Sequence, residues 1–301
     1  MYDAIIIGAG PAGLTAAIYL RRANKQTLVL EAKMCGGQIV NTMDIENYPA
    51  EMHISGMEFS DKLQAQAKEL GAEIKYEKAI EIKKVKDIYE VTADEDKHKA
   101  RALVIATGAD NRKLGLKNED ELLGKGVSYC ATCDGAFYKD KNVAVVGGGN
   151  TALEEALYLS KITKKVYLIH RGSMFSGDEK TVELLEKQKN VEMIMNSNVT
   201  ELIAHDKLTE IKVVDNGDKV NLIKVDGIFI AVGYIPETQN FAKLIKLDKA
   251  GYVKAGEDCE TNEAGIFVAG DARTKEVRQL VTATSDGAIA ATKAIKYLNN
   301  S

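Results

Sequence analysis

A pattern of apolar strand, glycine turn and helix occurs twice in this chain, and it constrains the fold more than any other feature. The first copy, residues 3–17, reads DAIIIGAGPAGLTAA, and the second, residues 142–156, reads NVAVVGGGNTALEEA. A second apolar run follows each copy. It closes at Glu31 in the first copy and at His170 in the second, at the same distance from the first motif glycine. Such a repeat predicts two β-α-β dinucleotide-binding units.

The glycine motif binds phosphate through its backbone. The first glycine makes the tight turn, the second lets a pyrophosphate approach, and the third lets the helix pack on the strand. The amides of the helix N-terminus and the helix dipole then hold the phosphates. The residues that carry the motif are Gly8, Gly10, Pro11, Ala12 and Gly13 in the first copy, and Gly147, Gly149, Asn150 and Thr151 in the second.

The residue that closes the second apolar run indicates which dinucleotide each unit prefers. A carboxylate at Glu31 accepts hydrogen bonds from ribose hydroxyl groups and repels a 2′-phosphate, which favours FAD or NAD. The basic pair of His170 and Arg171 suits a 2′-phosphate and favours NADP in the second unit. A solvated surface arginine is the alternative interpretation of Arg171.

Further apolar runs end in glycine turns at residues 103–108, 227–233 and 265–271. The last has no counterpart in the second unit, so the simplest arrangement inserts the second unit into the first. We predict an α/β fold of two Rossmann-like, three-layer (ββα) dinucleotide-binding domains, residues 1–113 with 240–301 and residues 114–239. After the turn at Gly270, Asp271 favours a flavin in the first domain, although it could be an ordinary loop or N-cap aspartate.

Composition excludes several classes of protein. Lysine and arginine total 40 while aspartate and glutamate total 44, so the basic excess of a phosphate-neutralising nucleic-acid-binding protein is missing. No apolar run approaches the roughly 18 residues of a membrane span, and the N-terminus does not read as a signal peptide. We therefore expect a cytoplasmic protein with no nucleic-acid or membrane partner. With only 3 prolines, a Pro-rich linker between domains is not expected.

Two of the four cysteines, Cys130 and Cys133, form a C-x-x-C motif. In a reducing cytosol such a pair is more often redox-active or metal-binding than structural. A zinc site needs four ligands, and the remaining cysteines and histidines form no second pair, so we expect no metal. An inert buried pair is the other alternative. Asp134 adjoins the motif and could carry a proton to or from a thiolate or a flavin.

The order of these parts indicates a chemistry. A hydride would pass from a nicotinamide to a flavin, and two electrons would pass on to the disulfide of Cys130 and Cys133. The resulting dithiol would reduce an external disulfide. The non-enzyme alternative is a flavin-binding redox sensor, in which the C-x-x-C only switches conformation.

Several shorter motifs complete the pattern: GGQ at residues 36–38, ENYP at 46–49, ATG at 106–108, CATCD at 130–134, GD at 270–271, RQ at 278–279 and DGA at 286–288. With these, the chain resembles the low-molecular-weight, bacterial-type thioredoxin reductases from end to end. The resemblance implies a homodimer with FAD in the discontinuous domain and NADPH in the inserted one, and thioredoxin as substrate. It implies that Asp134 donates a proton, and it leaves open which cysteine faces the flavin. The further cofactor-binding residues that it implies are Gly37, Gln38, Asn47, Thr107, Gly108, Arg278, Gln279 and Ala288.

One segment departs from the family pattern. The NADPH fingerprint of the family is HRRxxxR, whereas residues 170–176 here read HRGSMFS, so that Gly172 and Ser176 replace two arginines. Each lost charge-assisted contact costs about 1.5–3 kcal/mol, which is a tenfold or greater loss of affinity. NADPH is the donor that we expect. NADH, or a non-nicotinamide donor such as reduced ferredoxin or a deazaflavin, is the alternative.

Overall fold

The computed structural model describes residues 1–42 and 44–300 and divides the chain into two compact units. The first unit combines Met1–Asp110 with the segment from Ile235 to the C-terminus, and the second unit is Asn111–Tyr234. The second unit is therefore inserted into the first. The observed boundaries lie a few residues N-terminal to the positions expected from the sequence, after residues 113 and 239.

Before the insertion, the first unit consists of a β-α-β segment followed by further strands. These elements are β1 (Tyr2–Ile7), α1 (Pro11–Arg22), β2 (Thr27–Leu30), α2 (Gly56–Glu69), β3 (Glu73–Lys75), β4 (Ala79–Val85), β5 (Ile88–Ala93), β6 (Lys97–Ile105) and β7 (Ala109–Asn111).

The second unit repeats the β-α-β arrangement. Its elements are β8 (Val127–Ser128), α3 (Ala131–Asp134), β9 (Asn142–Val146), α4 (Asn150–Ser160), β10 (Lys165–Ile169), α5 (Glu179–Glu186), β11 (Val191–Ile194), β12 (Ser197–Ala204), β13 (Leu208–Asp215), β14 (Val220–Lys224) and β15 (Gly227–Ile230). The chain then returns through β16 (Tyr234–Pro236), which pairs with β7, and completes the first unit with β17 (Ile266–Val268) and α6 (Leu280–Asn300).

The two units share the layout of their central parallel sheet. The order is β3-β2-β1-β6 with β17 beside β6 in the first unit, and β11-β10-β9-β15-β8 in the second. Antiparallel strands accompany each set of parallel strands. In the first unit β5 pairs with β6 and β4 pairs with β5, which extends the same sheet. In the second unit β12, β13 and β14 form a separate antiparallel sheet. The predicted fold class, α/β with two Rossmann-like domains, is confirmed.

The central strand β1 is buried on both faces, as a parallel strand between two layers must be. Ile6 packs with Leu14 of α1 in one core cluster, whereas Ile5 packs with Leu103 and Ile105 of β6 in the other. This burial explains why the strand reads as a continuous apolar run and not as an alternating one. Among the described residues, no helix combines the length and the apolar character needed to cross a membrane.

Candidate functional site

The glycine turn after β1 depends on the absence of side chains. Gly8 has φ +105°, and a Cβ there would lie 2.3 Å from the carbonyl oxygen of Ala106, which follows β6. The Ala106 amide donates to the carbonyl oxygen of Ile7 at 2.8 Å. A Cβ on Gly13 would lie 1.9 Å from the Gly8 carbonyl oxygen. The turn and the start of α1 are therefore packed directly against the strand ends.

The second unit repeats this packing. A Cβ on Gly147 would lie 2.3 Å from the carbonyl oxygen of Ala231, which follows β15, and the Ala231 amide donates to Val146 at 2.8 Å. Ala152 stands where the first unit has Gly13, and its Cβ is one of the atoms that a Cβ on Gly147 would meet. Both turns are thus built in the same way, as the sequence repeat predicts.

The second motif glycine of each turn leaves open space at a helix N-terminus. Gly10 is the N-cap of α1 in an extended conformation, and none of the described heavy atoms would come within 4 Å of a Cβ there. Gly149 is the N-cap of α4, where a Cβ would meet only the Ser176 hydroxyl, at 3.9 Å. The amides of a helix N-terminus beside open volume are what a pyrophosphate requires.

Glu31 directly follows β2 and anchors the first turn. Its Oε2 accepts the Ala9 amide at 2.7 Å, and its Oε1 accepts the Lys33 amide at 2.8 Å. A carboxylate offers about four acceptor positions, so the remaining ones can accept ribose hydroxyl groups. The geometry of Glu31 therefore suits the role predicted from its position.

Two buried polar atoms near this turn have no hydrogen-bond partner among the described residues. They are Oγ1 of Thr107 and Oδ1 of Asp271. Burial raises the pKa of Asp271 above its usual range, against the opposing influence of Lys275 and Arg278. Since buried polar atoms are normally paired, both positions fit a ligand that carries hydroxyl and phosphate groups. The residues of the first unit therefore fit a flavin dinucleotide.

A buried ion pair holds the loop of Gly270 and Asp271. Oδ2 of Asp286 accepts the Gly270 amide at 3.0 Å and Nε of Arg273 at 2.8 Å, and it lies 2.9 Å from Nζ of Lys275. Burial opposes the ionisation of Asp286, but Arg273 and Lys275 outweigh it and lower the pKa of this carboxyl group. Arg273 and Asp286 are not among the predicted site residues.

The structure brings several predicted cofactor residues together from different segments. A Cβ on Gly37 would lie 3.5 Å from Cα of Gly10, and one on Gly270 would lie 2.9 Å from Cβ of Ala12. Asn47 donates to Gln279 at 3.3 Å.

Four other predicted cofactor residues have surroundings of their own. Gly108 has φ +69°, and Ala288 is half-buried on α6. The side-chain amide of Gln38 donates to the Asp110 carboxylate. The Arg278 guanidinium lies 4.4 Å from the centre of the Tyr252 ring.

Cys130 and Cys133 are joined by a disulfide, with Cα atoms 5.3 Å apart. Cys130 is the N-cap of the short helix α3, and its Sγ accepts the Cys133 amide at 3.2 Å. The Thr132 hydroxyl oxygen lies 3.4 Å from the same sulfur. The Cys130 sulfur therefore lies at the positive end of a helical turn, where a thiolate is favoured.

Asp134 ends α3 and lies within the second unit next to the disulfide. Its Oδ2 accepts a 2.6 Å hydrogen bond from the Ser128 hydroxyl group. Burial raises the pKa of Asp134, and the hydrogen bond from Ser128 offsets part of that rise. Asp134 can therefore hold a proton beside the two sulfurs more readily than an exposed aspartate, which suits proton transfer to a thiolate.

Glu155 is a buried carboxyl group in the same region, and it is not among the site residues predicted from the sequence. It lies on α4, and its Oε1 accepts the Ala131 amide at 3.1 Å. Burial, together with the charges of Asp134 and Glu154, raises the pKa of Glu155 to about 7, although the Ala131 amide lowers it. The only sequence signal is an acidic residue on the apolar side of a predicted helix.

The segment after β10 lies over the glycine turn of the second unit. A Cβ on Gly148 would lie 2.2 Å from the His170 ring. The backbone amide and the hydroxyl group of Ser176 both donate to the Gly148 carbonyl oxygen, at 2.7 Å and 3.1 Å. Arg171 is exposed and His170 is half-buried. At this end of the sheet, Arg171 is the permanent cation of the HRGSMFS segment.

Comparison with known proteins agrees with these features. Residues 2–287 match the family model described as pyridine nucleotide-disulphide oxidoreductase. A thioredoxin reductase of Listeria innocua is 46% identical over 99% of this chain and 94% of its own length. One of Bacillus subtilis is 42% identical over 99% of this chain and 95% of its own length.

The structural comparison covers the chain equally fully. The crystal structure of a thioredoxin reductase from Streptococcus pyogenes superimposes with a TM-score of 0.94 at 37% identity, and covers 100% of this chain and 99% of that one. The chain therefore belongs to the pyridine nucleotide-disulphide oxidoreductase family and, within it, to the low-molecular-weight, bacterial-type thioredoxin reductases.

Proposed function

We propose that this protein is an FAD-dependent thioredoxin-disulfide reductase. The observation that carries the proposal is the Cys130–Cys133 disulfide, which lies at the start of a dinucleotide-type unit and is followed directly by the half-buried carboxyl group of Asp134. The relatives named thioredoxin reductase match the chain over almost its whole length, which supports thioredoxin as the substrate.

The first unit would hold the FAD. Its pyrophosphate would bind at the N-terminus of α1, where Gly10 leaves open space, and Glu31 would accept the ribose hydroxyl groups. Thr107 and Asp271 would pair their buried oxygen atoms with the flavin portion. The remaining residues proposed to line this site are Gly8, Pro11, Ala12, Gly13, Gly37, Gln38, Asn47, Gly108, Gly270, Arg278, Gln279 and Ala288.

Bound FAD would supply the two-electron carrier that links the donor to the disulfide. The disulfide of Cys130 and Cys133 accepts the electron pair, and its two sulfurs take up two protons to become thiols. One sulfur, as thiolate, then attacks the disulfide of thioredoxin, and the other sulfur resolves the mixed disulfide, which restores the Cys130–Cys133 bond. Asp134 holds the proton that a departing thiolate needs.

The second unit would take the electron donor. Gly147, Gly149, Asn150 and Thr151 would bind the pyrophosphate at the N-terminus of α4, and His170 with Arg171 would face the 2′-phosphate of NADPH. Because Gly172 and Ser176 supply no positive charge, we propose that NADPH is held through Arg171 and therefore weakly. NADH and a non-nicotinamide donor, such as reduced ferredoxin or a deazaflavin, are the alternatives.

We further propose a cytoplasmic homodimer. The dimer is what the family resemblance implies. The compartment is supported by Cys35 and Cys259, which are buried free thiols and therefore suit a reducing environment.

An anaerobic titration of the flavin absorbance tests the donor and the cofactor together. The purified protein, reconstituted with FAD, is titrated with NADPH, then with NADH, and then with reduced ferredoxin. We expect a bound flavin spectrum that NADPH bleaches more readily than NADH. A protein that acquires no flavin band on addition of FAD would refute the flavoenzyme proposal. If only reduced ferredoxin bleaches the bound flavin, then ferredoxin and not NADPH is the electron donor.

A further inference from the structure

Glu155 is a buried carboxyl group that the proposed reaction does not use. It lies near the Cys130–Cys133 disulfide. It is 9% exposed, and its Oε1 accepts the Ala131 amide at 3.1 Å. Ala131 is the first residue of α3 and directly follows Cys130. The side chain of Glu155 thus reaches from α4 to the helix end that carries the cysteines.

The Cys130 sulfur uses the same helix end. It accepts the Cys133 amide at 3.2 Å, so Glu155 and Cys130 take two amides of one short helix. A free amide in the first turn favours negative charge on a neighbouring sulfur. An ionised Glu155 neutralises part of that effect and places a like charge nearby, whereas a protonated Glu155 accepts the same hydrogen bond without a charge.

The surroundings of Glu155 make this protonation change accessible near neutral pH. Its Oε2 is buried and has no hydrogen-bond partner within residues 1–42 and 44–300. Burial is the largest influence that raises its pKa, to about 7, and the carboxyl groups of Asp134 and Glu154 act in the same direction. The Ala131 amide is the one opposing influence. Because Glu155 and the Cys130 sulfur accept amides of the same short helix, negative charge on one of them disfavours negative charge on the other.

We propose that Glu155 is a positioning residue that controls the reactivity of the reduced Cys130–Cys133 pair. When protonated, it leaves the first turn of α3 able to stabilise a thiolate, and when ionised its negative charge disfavours that thiolate. The biological role of this control rests on the proposed reductase function. The coupling itself requires neither flavin nor donor nor thioredoxin.

The test is the pH dependence of thiol alkylation in the full chain. The protein is reduced with dithiothreitol, separated from it and alkylated with iodoacetamide at a series of pH values around 7. Mass spectrometry of the peptide that contains Cys130 and Cys133 separates these thiols from Cys35 and Cys259. Glu155→Gln keeps an acceptor for Ala131 and removes the charge. The matched control, Glu154→Gln, removes the exposed carboxyl group of the adjacent residue.

We expect Glu155→Gln to be alkylated about threefold faster above pH 7. A thiol pKa lower by one unit gives about tenfold more thiolate, and the lower nucleophilicity of that thiolate offsets part of the gain. The inflection near pH 7 should disappear from the profile of Glu155→Gln and persist in Glu154→Gln. An unchanged profile in Glu155→Gln, or an equal change in both variants, would overturn the proposal.

Infrared spectroscopy of the wild-type protein gives a second measurement if Glu155→Gln fails to fold. We expect the band of a protonated carboxyl group that titrates near neutral pH, and we expect this titration to move to higher pH when the disulfide is reduced. A carboxyl titration that does not respond to disulfide reduction would overturn it. Since neither measurement uses flavin or thioredoxin, either result is independent of whether the protein reduces thioredoxin.

Discussion

The hydroxyl group of Ser128 donates a 2.6 Å hydrogen bond to Oδ2 of Asp134, and the same hydroxyl oxygen accepts the Cys130 amide at 3.1 Å. Ser128 therefore links the Asp134 carboxyl group to the backbone of the C-x-x-C motif. Burial raises the pKa of Asp134, and the hydrogen bond from Ser128 works against that rise by stabilising the ionised form. The proton affinity of Asp134 thus depends on Ser128.

Replacement Ser128→Ala should raise the pKa of Asp134 further, because the variant loses a hydrogen bond that stabilises the ionised carboxylate and contributes about 1.5–3 kcal/mol. Proton donation needs the protonated acid, so turnover falls as pH rises through this pKa. The variant should move the alkaline limb of the pH–rate profile to higher pH. Asp134→Asn should lower turnover about 100-fold or more. An alkaline limb that stays in place in Ser128→Ala would contradict the assignment.

The glycine turn of the first unit offers a matched pair of substitutions. A Cβ on Gly13 would lie 1.9 Å from the Gly8 carbonyl oxygen, so Gly13→Ala should destabilise the first unit and lower its melting temperature. Gly10 has φ −72° and open space around its Cβ position, so Gly10→Ala should fold normally. Its added methyl group would occupy the proposed pyrophosphate space. Flavin affinity in Gly10→Ala should therefore fall while circular dichroism and melting temperature stay near wild-type values.

Asp271→Ala should weaken flavin binding about 10-fold to 100-fold, which corresponds to the loss of one hydrogen bond to a buried or charged group. Fluorescence quenching of FAD on addition to the apoprotein gives the affinity. Asp61→Ala removes an exposed carboxyl group from α2 of the same unit and serves as the control. Equal affinities in the two variants would argue against a flavin contact at Asp271.

Gly172→Arg combined with Ser176→Arg should lower the KM for NADPH at least tenfold, since each new charge-assisted contact contributes about 1.5–3 kcal/mol. The KM for NADH, which has no 2′-phosphate, should change little. Arg171→Ala in the wild-type background should raise the KM for NADPH by a similar factor. If the double variant leaves the ratio of the two KM values unchanged, this segment does not contact the 2′-phosphate.

Glu155 should make the stability of the protein fall as pH rises. Its pKa is raised from 4.5 to about 7 in the folded chain, so its ionisation destabilises the fold progressively between these pH values. The full effect, about 3 kcal/mol above pH 7, is of the order expected for a shift of this size. Urea unfolding should show Glu155→Gln gaining stability over wild type across this range and not at pH 4. Glu154→Gln should keep the fall in stability with rising pH, since Glu154 is the smallest of the influences that raise the pKa of Glu155.

The sequence was sufficient to predict those parts of the fold that follow from backbone constraints. Gly8 and Gly147 mark the two turns because each must approach a neighbouring carbonyl group, and such contacts leave a glycine signature in the chain. The position of Glu31 at the end of the second strand could be predicted because the apolar run of β2 stops at the residue before it. The insertion was predicted from an unmatched third strand run, with boundaries a few residues from the observed ones.

Side chains whose role depends on distant packing could not be predicted in this way. Glu155 contacts the amide of Ala131 across 24 residues of sequence, and no periodicity in α4 indicates that contact. Asp286 holds the Gly270 loop by accepting the Gly270 amide and the Arg273 side chain, and although the DGA motif at residues 286–288 stands out in the sequence, nothing in that motif indicates these partners. Both carboxyl groups are buried because tertiary contacts satisfy them, which local patterns do not encode.

Multiple-turnover reduction of thioredoxin distinguishes a reductase from a redox sensor. The FAD-reconstituted protein is incubated anaerobically with an excess of oxidised thioredoxin and with NADPH or a photoreduced deazaflavin as donor, and the thioredoxin thiols formed per protein are counted. The wild-type protein should reduce many equivalents of thioredoxin, and Cys130→Ser or Cys133→Ser should reduce none above background. No more than one equivalent from the wild-type protein with either donor, as expected of a redox sensor, would contradict it.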